Sequence, residues 1–151
     1  MSATGLEVFD KTLQTTHIWL DEIIEDLGTD RHTAWHVMGA VLHALRDRLP
    51  VDLSAHLSAE LPLLIRGAYF DGWHPSREAQ TLKQRSLAEF LERISDGLAG
   101  TKPISSIDAA RSVLAVLSRH IAKGQAVKVR NALPEEVRAL WPEDVLVTRV
   151  L

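Results

Sequence analysis

The sequence predicts an all-α fold: a small helical-bundle unit, duplicated and packed into one compact domain of about eight helices. Three observations predict it. Apolar residues recur at spacings of three and four through most of the chain. Residues that start and stop helices (Ser, Asp, Pro, Gly) punctuate those stretches. A gapless self-match, offset by 72 residues, aligns Val41–Tyr69 with Val113–Trp141 and lays helical pattern on helical pattern.

A first helix runs from about Leu6 to Leu27, with Gly28 as its left-handed stop. Asp30 caps a second to about Leu49, and Pro50 ends it, having no N–H and a ring that clashes with the preceding turn. Asp52 caps a short helix to about Glu60, and Pro62 opens another to about Phe70. Residues 71–80 are a loop rich in turn formers. Ser86 and Glu89 have capping-box spacing and begin a helix with apolar Leu87, Phe90, Leu91, Ile94 and Leu98, ending near Gly100. Ser105 or Ser106 caps the next, which reaches about Lys123 before Gly124. A short helix from Gln125 leads to Pro134, Glu135 and Glu136, a proline and two acids suited to a first helical turn; that last helix ends at Trp141 and Pro142. Only the tail, Val145–Leu151, alternates like a strand.

At 151 residues, 46% hydrophobic and 25% charged, the chain reads as one globular domain, 1–151, with internal repeats at approximately 17–73 and 88–142. Six positions of the self-match are identical: Val41/Val113, Leu42/Leu114, Leu45/Leu117, Leu61/Leu133, Pro62/Pro134 and Arg66/Arg138. A unit of about 50 residues buries too little surface alone. Two copies sharing a core, with pseudo-two-fold character, are expected. The stretch Ala40-Val-Leu-His-Ala-Leu-Arg-Asp-Arg-Leu-Pro50, with Ala55-His-Leu57, Leu61-Pro62 and Arg66–Pro75, resembles the bacterial family known as domain of unknown function 2267. The resemblance extends over nearly the whole chain. It implies a small all-helical protein with a duplicated unit, and no established activity, cofactor or catalytic residue.

Composition closes several function classes. With no cysteine there is no disulfide framework, thiolate zinc site or cysteine nucleophile. No apolar run is long enough to cross a bilayer, and the start of the sequence lacks a signal-peptide pattern, so a soluble, cytoplasmic protein without membrane association is expected. A net charge of −3 speaks against a nucleic-acid partner. The basic stretch from Ala109 to Pro134 holds no acid, but it lacks interleaved aromatics for base stacking. Residues 1–100 carry 9 Lys/Arg against 15 Asp/Glu, while residues 101–151 carry 8 against 5. That asymmetry suggests complementarity within one chain or between subunits.

Catalytic motifs are missing. There is no Gly-x-Ser-x-Gly elbow, phosphate-binding glycine loop, His-Glu-x-x-His or Glu-x-x-His. The seven histidines draw attention instead. His32, His36 and His43 fall within roughly 40° of one another on the second helix, opposite its apolar stripe of Trp35, Met38, Val41, Leu42, Leu45 and Leu49. His32 and His36, four residues apart, can chelate a metal; His43 lies about 10 Å further along and cannot readily join them. Ordinary exposed or interface histidines are the competing reading.

The second candidate is the segment from Arg66 to His74, which combines a cation, two glycines, three aromatics, an acid and a histidine. Arg66, Asp71, Trp73 and His74, with His43 and His56, form a candidate pocket or recognition surface. The structural alternative pairs Arg66 with Asp47 or Asp71 and uses Tyr69 and Trp73 as core plugs. The functional expectation is therefore a non-enzymatic interaction or regulatory module without cofactor, joining a protein partner or a second copy of itself. The alternative is a small-ligand or metal-binding protein using the histidines and the 66–74 loop.

Overall fold

The computed structural model describes residues 2–75 and 86–142. Eight helices account for the described regular structure, and no strand occurs among the described residues. They are α1 (Glu7–Leu27), α2 (Arg31–Arg46), α3 (Val51–Ser58), α4 (Leu63–Phe70), α5 (Leu87–Gly97), α6 (Ser106–His120), α7 (Lys123–Asn131) and α8 (Glu135–Arg138). The expected tail strand at 145–151 and the loop beyond Pro75 lie outside the described residues.

Local chemistry sets most boundaries. Gly28 closes α1 at φ 64°, a left-handed conformation that costs glycine little, and its N–H returns to Ile24 O. Asp30 Oδ1 accepts from Thr33 N at 2.7 Å and so starts α2. The same carboxylate meets Lys102 Nζ at 2.5 Å, which together with the Thr33 bonds holds its pKa far below the ordinary aspartate value. Ser86 Oγ accepts from Glu89 N and donates to Glu89 Oε1, so the expected Ser–Glu cap is present. Ser105 caps α6.

Several boundaries differ from the sequence reading, and α5, α6 and α8 each end about three residues short of it, at Gly97, His120 and Arg138. Helix α2 ends at Arg46, before Leu49, because the chain already turns at Asp47–Arg48. Pro50, not Asp52, stands at the start of α3, with Asp52 inside the first turn. Helix α7 begins at Lys123 and takes Gly124 into its first turn.

Helix α2 is central, touching α1, α4, α5 and α6. Ala34, Val37, Met38, Val41, Leu42, Ala44 and Leu45 are all fully buried, so the helix is apolar around more of its circumference than the expected stripe. Trp35, assigned to the stripe, is instead exposed at 36%, and Ile107, 72 residues further on, is exposed at 41%. Some neighbour relations pair up, α1 on α2 with α5 on α6 and α1 on α4 with α5 on α8, while the contacts of α2 with α4 and of α6 with α7 have no counterpart of equal extent.

The two conserved-in-register arginines of the self-match do the same work. Arg66 donates to Ser58 O, Ala59 O and Leu61 O, tying α4 to the end of α3. Arg138 donates to Asn131 O and Leu133 O, the positions 72 residues after Ala59 and Leu61. Pro62 and Pro134 hold nearly identical dihedrals before α4 and α8. Tyr69 and Trp141 are both buried, and Tyr69 Oη donates to Ser54 O at 3.0 Å; burial pushes that phenol up to about 12.

The charge asymmetry is partly satisfied inside the chain. Glu22 of α1 accepts from Arg119 Nε at 2.7 Å and meets His120 Nε2 at 2.5 Å, while His120 stacks on Trp19. Partial burial works to raise the Glu22 pKa, but the bonds from His120 and Arg119 outweigh it and the net shift is downward. With Lys102–Asp30, these contacts join the acidic first part of the chain to the basic last part.

Candidate functional site

An open cleft of about 480 Å³ lies between α2, the end of α4 and the end of α5. Helix α2 contributes Trp35, His36, Gly39, Ala40 and His43 to its wall. Gly67, Ala68 and Asp71 come from the last turn of α4 and its cap, and Gly97 from the end of α5.

Three glycines line this cleft for two different reasons. At Gly97 an added Cβ would lie 2.9 Å from the Cβ of Ala40, so glycine there permits the close approach of α5 to α2. At Gly39 and Gly67 an added Cβ would meet nothing within 4 Å. Gly39 sits in the interior of α2, where glycine costs about 1 kcal/mol relative to alanine, and Gly67 stands in the last turn of α4. Neither a turn nor a packing contact accounts for them; what they leave is room.

The polar wall is ordered. His43 Nε2 lies 2.6 Å from Ala68 O. A carbonyl only accepts, so Nε2 carries the hydrogen and Nδ1 holds the ring's lone pair when the imidazole is neutral. Burial is the first cause lowering the His43 pKa; Arg46 and Arg93 add to it, against the Ala68 carbonyl and Asp47. Arg46, 3% exposed, donates from Nε to Asp47 Oδ1 at 2.8 Å and from NH1 to Tyr69 O at 2.8 Å and Asp71 O at 2.9 Å. It thereby anchors the end of α4 to α2. Arg93 lies 3.8 Å from Asp47 Oδ2.

The candidates from the sequence separate into two groups. His43 and Asp71 meet in the cleft, and His36 joins them. Arg66 pairs with neither Asp47 nor Asp71; it serves the α3–α4 connection, and Arg46 takes the expected pairing with Asp47. Trp73 packs on Phe70 with centroids 5.2 Å apart and is partly exposed, so Tyr69 alone of the expected pair is a core plug. His56 is exposed on α3 and His74 is exposed after Trp73, and neither lines the cleft. His32 and His36 stand edge to face at 4.6 Å. Among the described residues no group of three or more His, Cys, Asp or Glu is disposed to hold a metal ion. None of the described helices is long and apolar enough to cross a membrane.

Sequence reasoning passed over Trp35, Gly39 and Gly97. The one available signal was Gly39, a glycine in the middle of a strong helical pattern with no end to mark.

The family model described as an uncharacterised conserved protein, domain of unknown function 2267, matches residues 16–140. The chain belongs to that family, and the match contains every residue lining the cleft. No curated protein matches the sequence.

Proposed function

We propose, for this member of the domain of unknown function 2267 family, a non-enzymatic binding module whose α2–α4–α5 cleft receives a guest group. The observation that carries this reading is the pair Gly39 and Gly67, helical glycines with open space where a side chain would stand. Trp35 supplies an exposed aromatic surface, the His43 ring is held by Ala68 O, and Asp71 adds an exposed carboxylate. The absence of any recognisable catalytic motif from the sequence favours binding over catalysis, and a cytoplasmic location belongs to the same reading.

The test is a plug. Gly39→Leu places a side chain in the open space while leaving the core untouched. A panel of small molecules and short peptides is screened by amide NMR against wild type and the plugged variant. Guests that shift Gly39 and Gly67 in the wild type and lose affinity in the variant support the reading. Guests bound equally by both place recognition elsewhere.

A second reading, self-association or docking of another protein, rests on a separate surface. Leu6, which caps α1, and Phe9 and Leu13 within it are 39–51% exposed, and Leu63 and Leu64 of α4 are 42–49% exposed. Leu64 N donates to Thr12 Oγ1, which sets the start of α4 beside that stretch of α1. Such patches mark interfaces when contiguous. Light scattering of wild type and Phe9→Asp decides it: a monomer in both cases removes the reading for self-association.

A further inference from the structure

We infer that the cleft selects a guest bearing a flat cationic donor group, a guanidinium or amidinium, rather than an anion. The inference rests on the cleft being a binding site, as proposed above, and names the chemistry of its guest.

The unspent polar groups of the cleft are acceptors. The Asp71 carboxylate forms no hydrogen bond or ion pair with any described residue, although the Asp71 carbonyl is held by Arg46. The neutral His43 ring offers Nδ1 as a lone pair, its Nε2–H being committed to Ala68 O. The cleft also lies where two helices end, at the last turn of α4 and at Gly97 of α5. Helix C-termini carry partial negative charge, which favours cations, although at α4 the Ala68, Tyr69 and Asp71 carbonyls already accept from His43 and Arg46. Arg46 already illustrates the preference of this region, since its guanidinium sits on two carbonyls at the end of α4.

The nearby positive groups face acceptors of their own. Arg46 is buried on Asp47 and the Tyr69 and Asp71 carbonyls, and Arg93 lies 3.8 Å from Asp47. Against the two arginines stand Asp47 and Asp71, so charge alone gives an anion no advantage. Trp35 adds a ring face at the open side, and planar cations stack well on such faces. The glycine floor at Gly39 and Gly67 accommodates a flat group without steric contact. A planar donor fork suits paired acceptors better than a point charge does.

Agmatine tests the guanidinium class, with acetate, inorganic phosphate and urea as anionic and neutral comparators. Titrations are followed by the Gly39 and Gly67 amides and the Trp35 indole N–H in the full chain. Saturable shifts with agmatine are expected, together with a loss of affinity of about tenfold in Asp71→Asn, the size of one charge-assisted hydrogen bond. Asp71 is exposed, so this variant keeps its fold. Shifts with acetate, phosphate or urea but none with agmatine would overturn the inference and leave the cleft as a binding site. Agmatine affinity unchanged in Asp71→Asn would also overturn it. Silence of all three probes toward every compound would overturn the binding reading itself.

Discussion

Helix α2 and helix α6 occupy matching places in the self-aligned sequence, and they differ where it matters for function. Their inward residues are the same or similar: Val41 and Val113, Leu42 and Leu114, Leu45 and Leu117 are all fully buried. The cleft residues are not shared. His36, Gly39, His43 and Gly67 correspond to Asp108, Arg111, Ala115 and Ala139. The buried Arg46 corresponds to Ser118, which merely bonds back to Ala115 O within its own helix. What the two halves hold in common is packing and the arginine ties of Arg66 and Arg138. What sets the first half apart is the group of residues it contributes to the cleft, Trp35, His36, Gly39, His43, Gly67 and Asp71.

The comparison breaks most sharply at Arg46. Arg46→Ala strands two α4 carbonyls and the Asp47 carboxylate, and a loss of about 3 kcal/mol is expected. Ser118→Ala is expected to stay within about 0.5 kcal/mol. Urea denaturation of the two variants measures the difference; equal losses would mean that the end of α4 is held by something else. Next in size are the shared ties. Arg66→Ala and Arg138→Ala each remove side-chain bonds to connection carbonyls, and both are expected to cost about 1–2 kcal/mol. A large inequality would show that the two connections are not equivalent.

Acid titration sharpens the contrast through His43, which has only Ala115 opposite it in the second half. Its folded-state pKa is lowered, so the folded chain favours the neutral ring. The resulting stability is present above 6.5 and is lost as pH falls through the lower folded value. Arg46 and Arg93 oppose protonation, Asp47 favours it, and His36 and Asp71 share the cleft. His43→Gln is expected to flatten this part of the stability–pH curve; an unchanged slope between wild type and variant would refute the assignment.

The smallest effects have the most telling sign. Gly39→Ala and Gly67→Ala are each expected to raise stability by about 0.5–1 kcal/mol, because helix propensity improves and the added methyl meets nothing. Gly97→Ala is expected to lower it, since Ala40 stands 2.9 Å from the new atom. Thermal melts separate the signs. Destabilisation by all three would mean that the open space at Gly39 and Gly67 is filled in solution.

Much of the fold was legible because its signals are local. Gly28, Asp30, Ser86, Ser105, Pro62 and Pro134 act within three or four residues of themselves, and each stands at a helix end as the sequence indicates. The candidate site was half legible: His43 and Asp71 were named, but with Arg66, Trp73, His56 and His74, which the fold sends elsewhere. A helical wheel states which side of α2 a residue is on. It does not state that α4 and α5 approach the histidine side and stop short of Trp35, His36 and Gly39.

By itself the sequence determined the helical class, the order and starts of most elements, and the packing residues that match across the self-alignment, since backbone hydrogen bonding and apolar periodicity are written along the chain. Tertiary structure alone decided that Trp35 stays open, that Arg46 takes the contacts expected of Arg66, and that two mid-helix glycines face a shared hollow. Those facts depend on how closely three separate helices approach one another, a distance fixed by the whole core and encoded in no single segment.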